Sequence, residues 1–225
     1  MTPTEDLYNR LNRIVQYYNK DLFSGALPPL VLTLQRNQKS IATFDPDRWG
    51  KGDGDIAHEL SINSSVVTGL PLIELFKVVV HHMTICWQHV YGNPSRKGYC
   101  NKELANKLIE IGLQPTSTGM PGGAQVGQNI QSYPIVGGRF LISSCRLLDT
   151  EKWRMSWVDL EVREPGTNAL SWMDNFSAAA SYDDQIAVLV KAMPDANIET
   201  LKSLTTFRLK EIVAESALRL SLIHI

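Results

Sequence analysis

Net charge is almost absent from this sequence: 22 Lys and Arg against 23 Asp and Glu leave −1 over 225 residues. That removes the electrostatic case for nucleic-acid binding by the chain as a whole, since a phosphate backbone is met by a cationic field. Cysteine is scarce. The three are Cys86, Cys100 and Cys145, and none stands in a C-x-x-C. They cannot all pair within one chain, which suits free thiols in a reducing cytoplasm. No apolar run approaches the length needed to span a bilayer, so no membrane partner is expected. The opening MTPTEDLYNR is polar and mixed in charge, unlike a secretory signal. Internal repeats and low-complexity tracts are missing too.

What is present is an ordinary globular composition, 44% hydrophobic and 20% charged. The length suffices for one core with a small appendage. Thr4–Lys20 reads as an amphipathic helix capped by Thr4, with Leu7, Leu11, Ile14, Val15 and Tyr18 on one face. Leu27-Pro28-Pro29 stops it. Val31–Leu34, Ile41–Phe44 and the alternating Ile56–Ile62 predict a small three-stranded sheet. Leu72–Val90 is apolar on most sides and should be the central buried helix. Asn101–Ile111 forms another helix, ended by Gly112. Gln114–Gln128 reads as a long glycine-rich loop, Ile130–Val136 as a last strand and Phe140–Leu148 as a helix. The expected fold class is therefore α+β over residues 1–149. Residues 150–181 read as a linker with local packing and 182–219 as a helical pair. Leu220–Ile225 resembles a translated sequencing adapter, which would put the natural gene's cut near Arg219.

The chemistry should lie in Val78–Gly92, VVVHHMTICWQHVYG. A zinc-protease helix carries His-Glu-x-x-His: two imidazoles four apart share one face and one ion, and the Glu takes a proton from the zinc-bound water. Here the run is His81-His82-Met83-Thr84-Ile85. The first histidine is kept, His82 stands at the Glu position, and Ile85 stands at the second ligand position. His82, Cys86 and His89 also share a face, but the first and last are about 10 Å apart along the axis, too far for one ion. Cys86 then reads as a core thiol and His89 as a helix-surface residue. His58-Glu59-Leu60-Ser61-Ile62 begins like the zinc motif, but its period is that of a strand, so His58 and Glu59 face opposite ways.

The motifs around that helix resemble the SprT-like domain family, related to the Spartan proteases that cleave DNA–protein crosslinks. In order they are Asn19-x-x-Leu-Phe-x-Gly25-x-Leu-Pro28, Leu34-Gln35-Arg36, Phe44-x-Pro46-x-Arg48-Trp49 and His58-Glu59-Leu60-x-Ile62-Asn63. Val80-His-His-Met-x-x-x-Trp87-Gln88 follows, then Gly92-x-Pro-Ser-Arg96-x-Gly-Tyr-Cys100-Asn-Lys-Glu103 and Ile111-Gly-Leu-x-Pro115 running to Gly123. The resemblance spans about Tyr8 to Leu148 and is to members from bacteria and mobile elements. It implies a zincin-like minimal metallopeptidase fold with a three- to four-stranded sheet, a central active-site helix and a C-terminal helical extension. It implies zinc ligands at positions 81, 85 and 100 and a catalytic residue at 82. Only His81 matches; Cys100 retains a donor, and the remnant ligand set is His81 and Cys100. The family's frequent C-terminal zinc ribbon has no C-x-x-C to form it.

These departures predict a pseudo-peptidase, retained as a scaffold that binds protein or DNA–protein substrates. One alternative is a divergent zinc metallopeptidase with a rebuilt ligand set such as His81, His82 and Cys100. The other is a nucleic-acid-binding accessory protein, acting on DNA through Leu201–Ile212, whose pattern weakly resembles SAP-like modules. Candidate substrate-binding residues are His58 and Glu59, on a strand that in zincin-type folds adds extended substrate at the sheet edge, and Arg96, placed to meet a phosphate. The glycine-rich loop Thr118–Gln128 lacks a P-loop lysine and reads as a crossing that closes over the cleft.

Overall fold

The computed structural model describes residues 1–36, 40–67, 72–119, 122–135 and 137–151, and the single positions 155, 157, 159 and 160. The expected pair 182–219, the Leu201–Ile212 pattern, the suspected adapter tail and most of the expected linker 150–181 lie outside the described residues. Helix α1, Pro3–Phe23, starts one turn-half earlier than its apolar pattern predicts. Its N-cap is Thr2, not Thr4: the Thr2 hydroxyl accepts from the Glu5 N–H at 3.3 Å, and the Glu5 carboxylate accepts from the Thr2 N–H at 2.7 Å. Pro3 at the first helical position completes this capping box. The C-terminal turn is clamped by Asn19, whose side-chain amide donates to the Leu27 carbonyl at 2.9 Å and accepts from the Leu27 N–H at 3.0 Å.

Strands β1 (Leu30–Gln35), β2 (Ala42–Gly50) and β3 (Ile56–Asn63) form one sheet in the order β1-β3-β2. β3 runs parallel to β1 and antiparallel to β2. It is therefore the interior strand, with Leu60 and Ile62 fully buried. β2 runs through the expected turn at Asp45–Asp47 as a bulge: the pairs Asp45↔Glu59 and Trp49↔Ala57 set four steps along β2 against two along β3. Asp47 absorbs the excess with φ +52°, a region that Asp tolerates better than most residues.

A four-residue helix, α2 (Ser64–Val67), follows β3, and α3 (Leu72–Tyr91) then crosses the core. Phe76, Val80 and Met83 on α3 are fully buried. Tyr18 of α1 meets Phe76 edge-on at 5.9 Å and stacks on Phe140 at 5.9 Å. The Tyr18 hydroxyl bonds Ser144 Oγ at 2.7 Å, so the buried polar tip is satisfied. Phe140 and Ser144 belong to α5, Arg139–Glu151.

Between these helices come β4 (Tyr99–Cys100), α4 (Lys102–Ile111), β5 (Leu113–Thr116), β6 (Gly127–Gln128) and β7 (Gln131–Pro134). β4 pairs with β6 and β5 with β7, both antiparallel. The first three residues of the expected loop Gln114–Gln128 thus belong to a strand; Pro115 hides it, because proline removes a ladder donor. Asn101 caps α4, accepting from the Leu104 N–H at 3.0 Å. Among the described residues no helix is long and apolar enough to cross a membrane.

Gly112 ends α4 at φ +94°, and a Cβ there would lie 2.8 Å from the backbone nitrogens of Arg139 and Phe140. Both the left-handed backbone and the seating of α5 require glycine. Gly112→Ala is expected to cost at least about 1–2 kcal/mol, the left-handed penalty alone, read as a lower urea midpoint at unchanged m-value.

Candidate functional site

Of the positions expected to hold zinc, 81 and 100 carry donor atoms, and each makes a polar contact within the protein. His81, midway along α3, places Nδ1 2.9 Å from Ser132 Oγ of β7. Burial, then His82 and Lys77, push its pKa down to about 3, so the ring is neutral near pH 7. His82 donates from Nδ1 to the Val78 carbonyl at 2.8 Å. Burial outweighs the nearby Val78 and Ala42 carbonyls and lowers its pKa. His82 is thus tied back onto its own helix. Ile85 packs against the core.

Cys100 is buried on β4, with Sγ 3.6 Å from the Asn101 carbonyl and 3.7 Å from that of Gln125. Burial pushes its pKa up to about 11, so with no metal beside it the group is a thiol near pH 7. The Gly127–Gln128 end of the glycine-rich loop pairs across β4 and covers it. His81, His82 and Cys100 do not bring three ligand atoms together. The rebuilt set of those three is therefore not gathered: His82 turns Nδ1 to the Val78 carbonyl and Cys100 lies under the loop. Cys86 is fully buried, and burial raises its pKa to about 12.

Among the described residues, the ligand atoms that do converge are those of Asp47, His58 and His89, all within 4.8 Å of one another. Three separate elements supply them: the β2 bulge, β3 and the last turn of α3. His58 Nδ1 is 3.4 Å from Asp47 Oδ1, and His89 Nε2 is 3.4 Å from Asp47 Oδ2. The Asp47 backbone N–H donates to His58 Nδ1 at 3.1 Å. The two rings meet edge-on at 5.1 Å, with Phe44 packed against both at 5.7 and 6.1 Å. Burial, offset by the Asp47 carboxylate and reinforced by His89, lowers the His58 pKa. No local spacing announces this group. His89 had to be read off the surface and Asp47 out of a turn, and only the bulge brings them to His58.

His58 and Glu59 do face opposite sides of the sheet. Glu59 accepts from Thr33 Oγ1 and Trp49 Nε1, each at 2.7 Å. It floors an open groove of about 630 Å³, lined also by Tyr8, Gln35, Arg48 and Trp49. Their strand is interior, with its backbone paired on both sides. Addition of an extended substrate to β3 is ruled out for that reason; the edges of this sheet are β1 and β2. Arg96 stacks its guanidinium 5.2 Å over the Tyr99 ring in an exposed loop. That loop is held by Glu103, which accepts from the Asn93 N–H at 2.8 Å and from Gln88 Nε2 at 2.6 Å. Gln88 also donates to Asn101 Oδ1 at 2.8 Å, locking α3 to α4.

No family model matches this chain, and no solved structure does. A Salmonella typhimurium protein described as "Uncharacterized protein in mucB 3' region" is 42% identical over 59 residues, 26% of this chain and 80% of that protein. The chain belongs to that protein's family. The description names no activity, so any activity has to be argued from the site.

The His81 ring resists protonation only in the folded state. Between its ordinary pKa of 6.5 and about 3, the unfolded chain binds a proton that the folded chain refuses. Stability therefore rises with pH across that window and is lost on acidification. His81→Gln, which keeps a partner for Ser132, is expected to flatten the dependence of unfolding free energy on pH between about 6.5 and 5, by at most about 1.4 kcal/mol per unit for one proton. Urea titrations at several pH values measure it.

Proposed function

We propose that this chain is a SprT-like pseudo-peptidase: a zincin-like scaffold that binds protein, free or crosslinked to DNA, without cleaving it. The observation that carries this reading is the use of His82. A zincin needs a carboxylate there, free to take a proton from zinc-bound water. Here an imidazole stands in its place, with Nδ1–H donated to the Val78 carbonyl. Ile85 offers no lone pair, and the buried Cys100 thiol is held by carbonyls. A catalytic zinc takes three protein ligands and a water; His81 alone does not hold one. Zinc is therefore not assigned to the α3 positions.

The surface left for recognition is the groove on the sheet face away from α3. Trp49 is 46% exposed there, beside the Arg48 guanidinium and the Glu59 carboxylate. An exposed indole among polar groups is the kind of anchor that protein contacts use. The test is equilibrium binding of an unfolded fluorescent protein, free and crosslinked to a DNA oligonucleotide, with electrophoresis of the same samples. Binding without cleavage, weakened about tenfold or more by Trp49→Ala (about 1.4 kcal/mol), is the expected result. Zinc-dependent cleavage lost in His81→Ala would overturn the proposal, and so would failure to bind either substrate.

A further inference from the structure

We propose that Asp47, His58 and His89 form a site for one zinc-class divalent cation, clipping the β2 bulge to the last turn of α3. The proposal is independent of whether the chain cleaves peptide bonds, since none of these positions belongs to the α3 set 81, 85 and 100. Ligands about 2.0–2.1 Å from a tetrahedral ion stand about 3.4 Å apart along the tetrahedron's edge. His58 Nδ1 stands 3.4 Å from Asp47 Oδ1 and His89 Nε2 3.4 Å from Asp47 Oδ2, one imidazole to each carboxylate oxygen. Each spacing is long for a hydrogen bond and suits an imidazole and a carboxylate oxygen on one ion, with one ligand atom from each of the three residues within 4.8 Å of the others.

The second observation concerns protons. The Asp47 N–H donates to His58 Nδ1, so that nitrogen carries no hydrogen of its own. The 3.4 Å approach of Nδ1 to Asp47 Oδ1 then sets one lone pair against another. A cation between them turns this acceptor–acceptor contact into two bonds. It takes the Nδ1 lone pair from the Asp47 amide, and the half-exposed bulge leaves that amide open to water. The tautomer that ligation needs is already in place.

The frame is rigid where it should be and open where an ion must enter. The His58 side chain is 11% exposed, that of His89 28% and that of Asp47 55%. Phe44 packs on both rings and fixes their mutual angle. Two imidazoles and one carboxylate suit zinc and its borderline neighbours; calcium and magnesium prefer all-oxygen shells. The fourth position faces solvent on the Asp47 side and would hold water.

The experiment uses the full chain, stripped with a chelator and titrated with Co²⁺, then Zn²⁺, by absorption and calorimetry. One Co²⁺ per chain with the strong visible bands of a tetrahedral site, displaced by one Zn²⁺, is expected. His89→Ala and Asp47→Asn should each weaken binding by more than the about 10–100-fold seen for loss of an outer-shell partner. His81→Ala and Cys100→Ala should bind as the parent does. Because His89 and Asp47 are partly exposed, both variants should fold, and far-UV circular dichroism checks this. No stoichiometric binding by the parent, binding unchanged in Asp47→Asn and His89→Ala, or binding lost in His81→Ala or Cys100→Ala would each overturn the assignment. The last result would relocate the metal to the middle of α3.

Discussion

Helix α3 is buried along most of its length, and that burial decides what its side chains can do. An imidazole taken out of water disfavours its charged form and must satisfy its nitrogens within the protein. His81 turns Nδ1 to Ser132 and His82 turns Nδ1 to the Val78 carbonyl. The first bond joins α3 to β7, and the second folds the ring back onto its own helix. One nitrogen of each imidazole is engaged in this way.

The same economy explains the polar residues that flank the helix. Asn19 closes the turn after α1 with both ends of its amide. Gln88 spans to Asn101 and Glu103, and Glu103 in turn holds Asn93. The Asn93 N–H, then Gln88, lower the Glu103 pKa, so the carboxylate stays ionised to hold this loop. Trp49 reaches Glu59 across the bulge. Asn19 and Glu103 satisfy backbone groups that irregular chain would otherwise leave unpaired, and the others bind side chain to side chain. They fix the loops around the groove and the helix without supplying chemistry.

Local patterns announced much of this and missed what depends on distant contacts. The 3.6-residue repeat of Leu11, Ile14 and Tyr18 and the alternation of Ile56–Ile62 are properties of one element, and both elements form. The glycine at position 112 marked its helix end because only the local φ mattered. The cap at Thr2 was hidden by the equally plausible Thr4, and reciprocal bonding with Glu5 decides between them. That β3 is interior, with its edges spent, depends on β1 returning parallel beside it, which no window of residues around His58 encodes. The candidate site divides the same way. His81, His82 and Cys100 stood out by motif, yet their hydrogen bonds are tertiary.

The middle and the last turn of α3 differ in what faces their histidines. At the middle, Nδ1 of His81 meets Ser132 and Nδ1 of His82 meets the Val78 carbonyl. At its last turn the wall is the β2 bulge, where two extra residues push the strand away from regular pairing. A regular strand there would turn Asp47 into the ladder and close the gap. The bulge leaves a carboxylate at the rim, a strand histidine behind it and a helix histidine beside it, at spacings too long for hydrogen bonds between side chains. What the fold gathers at this end is three side chains from three elements, with ligand atoms within 4.8 Å of one another and an imidazole nitrogen 3.4 Å from each carboxylate oxygen.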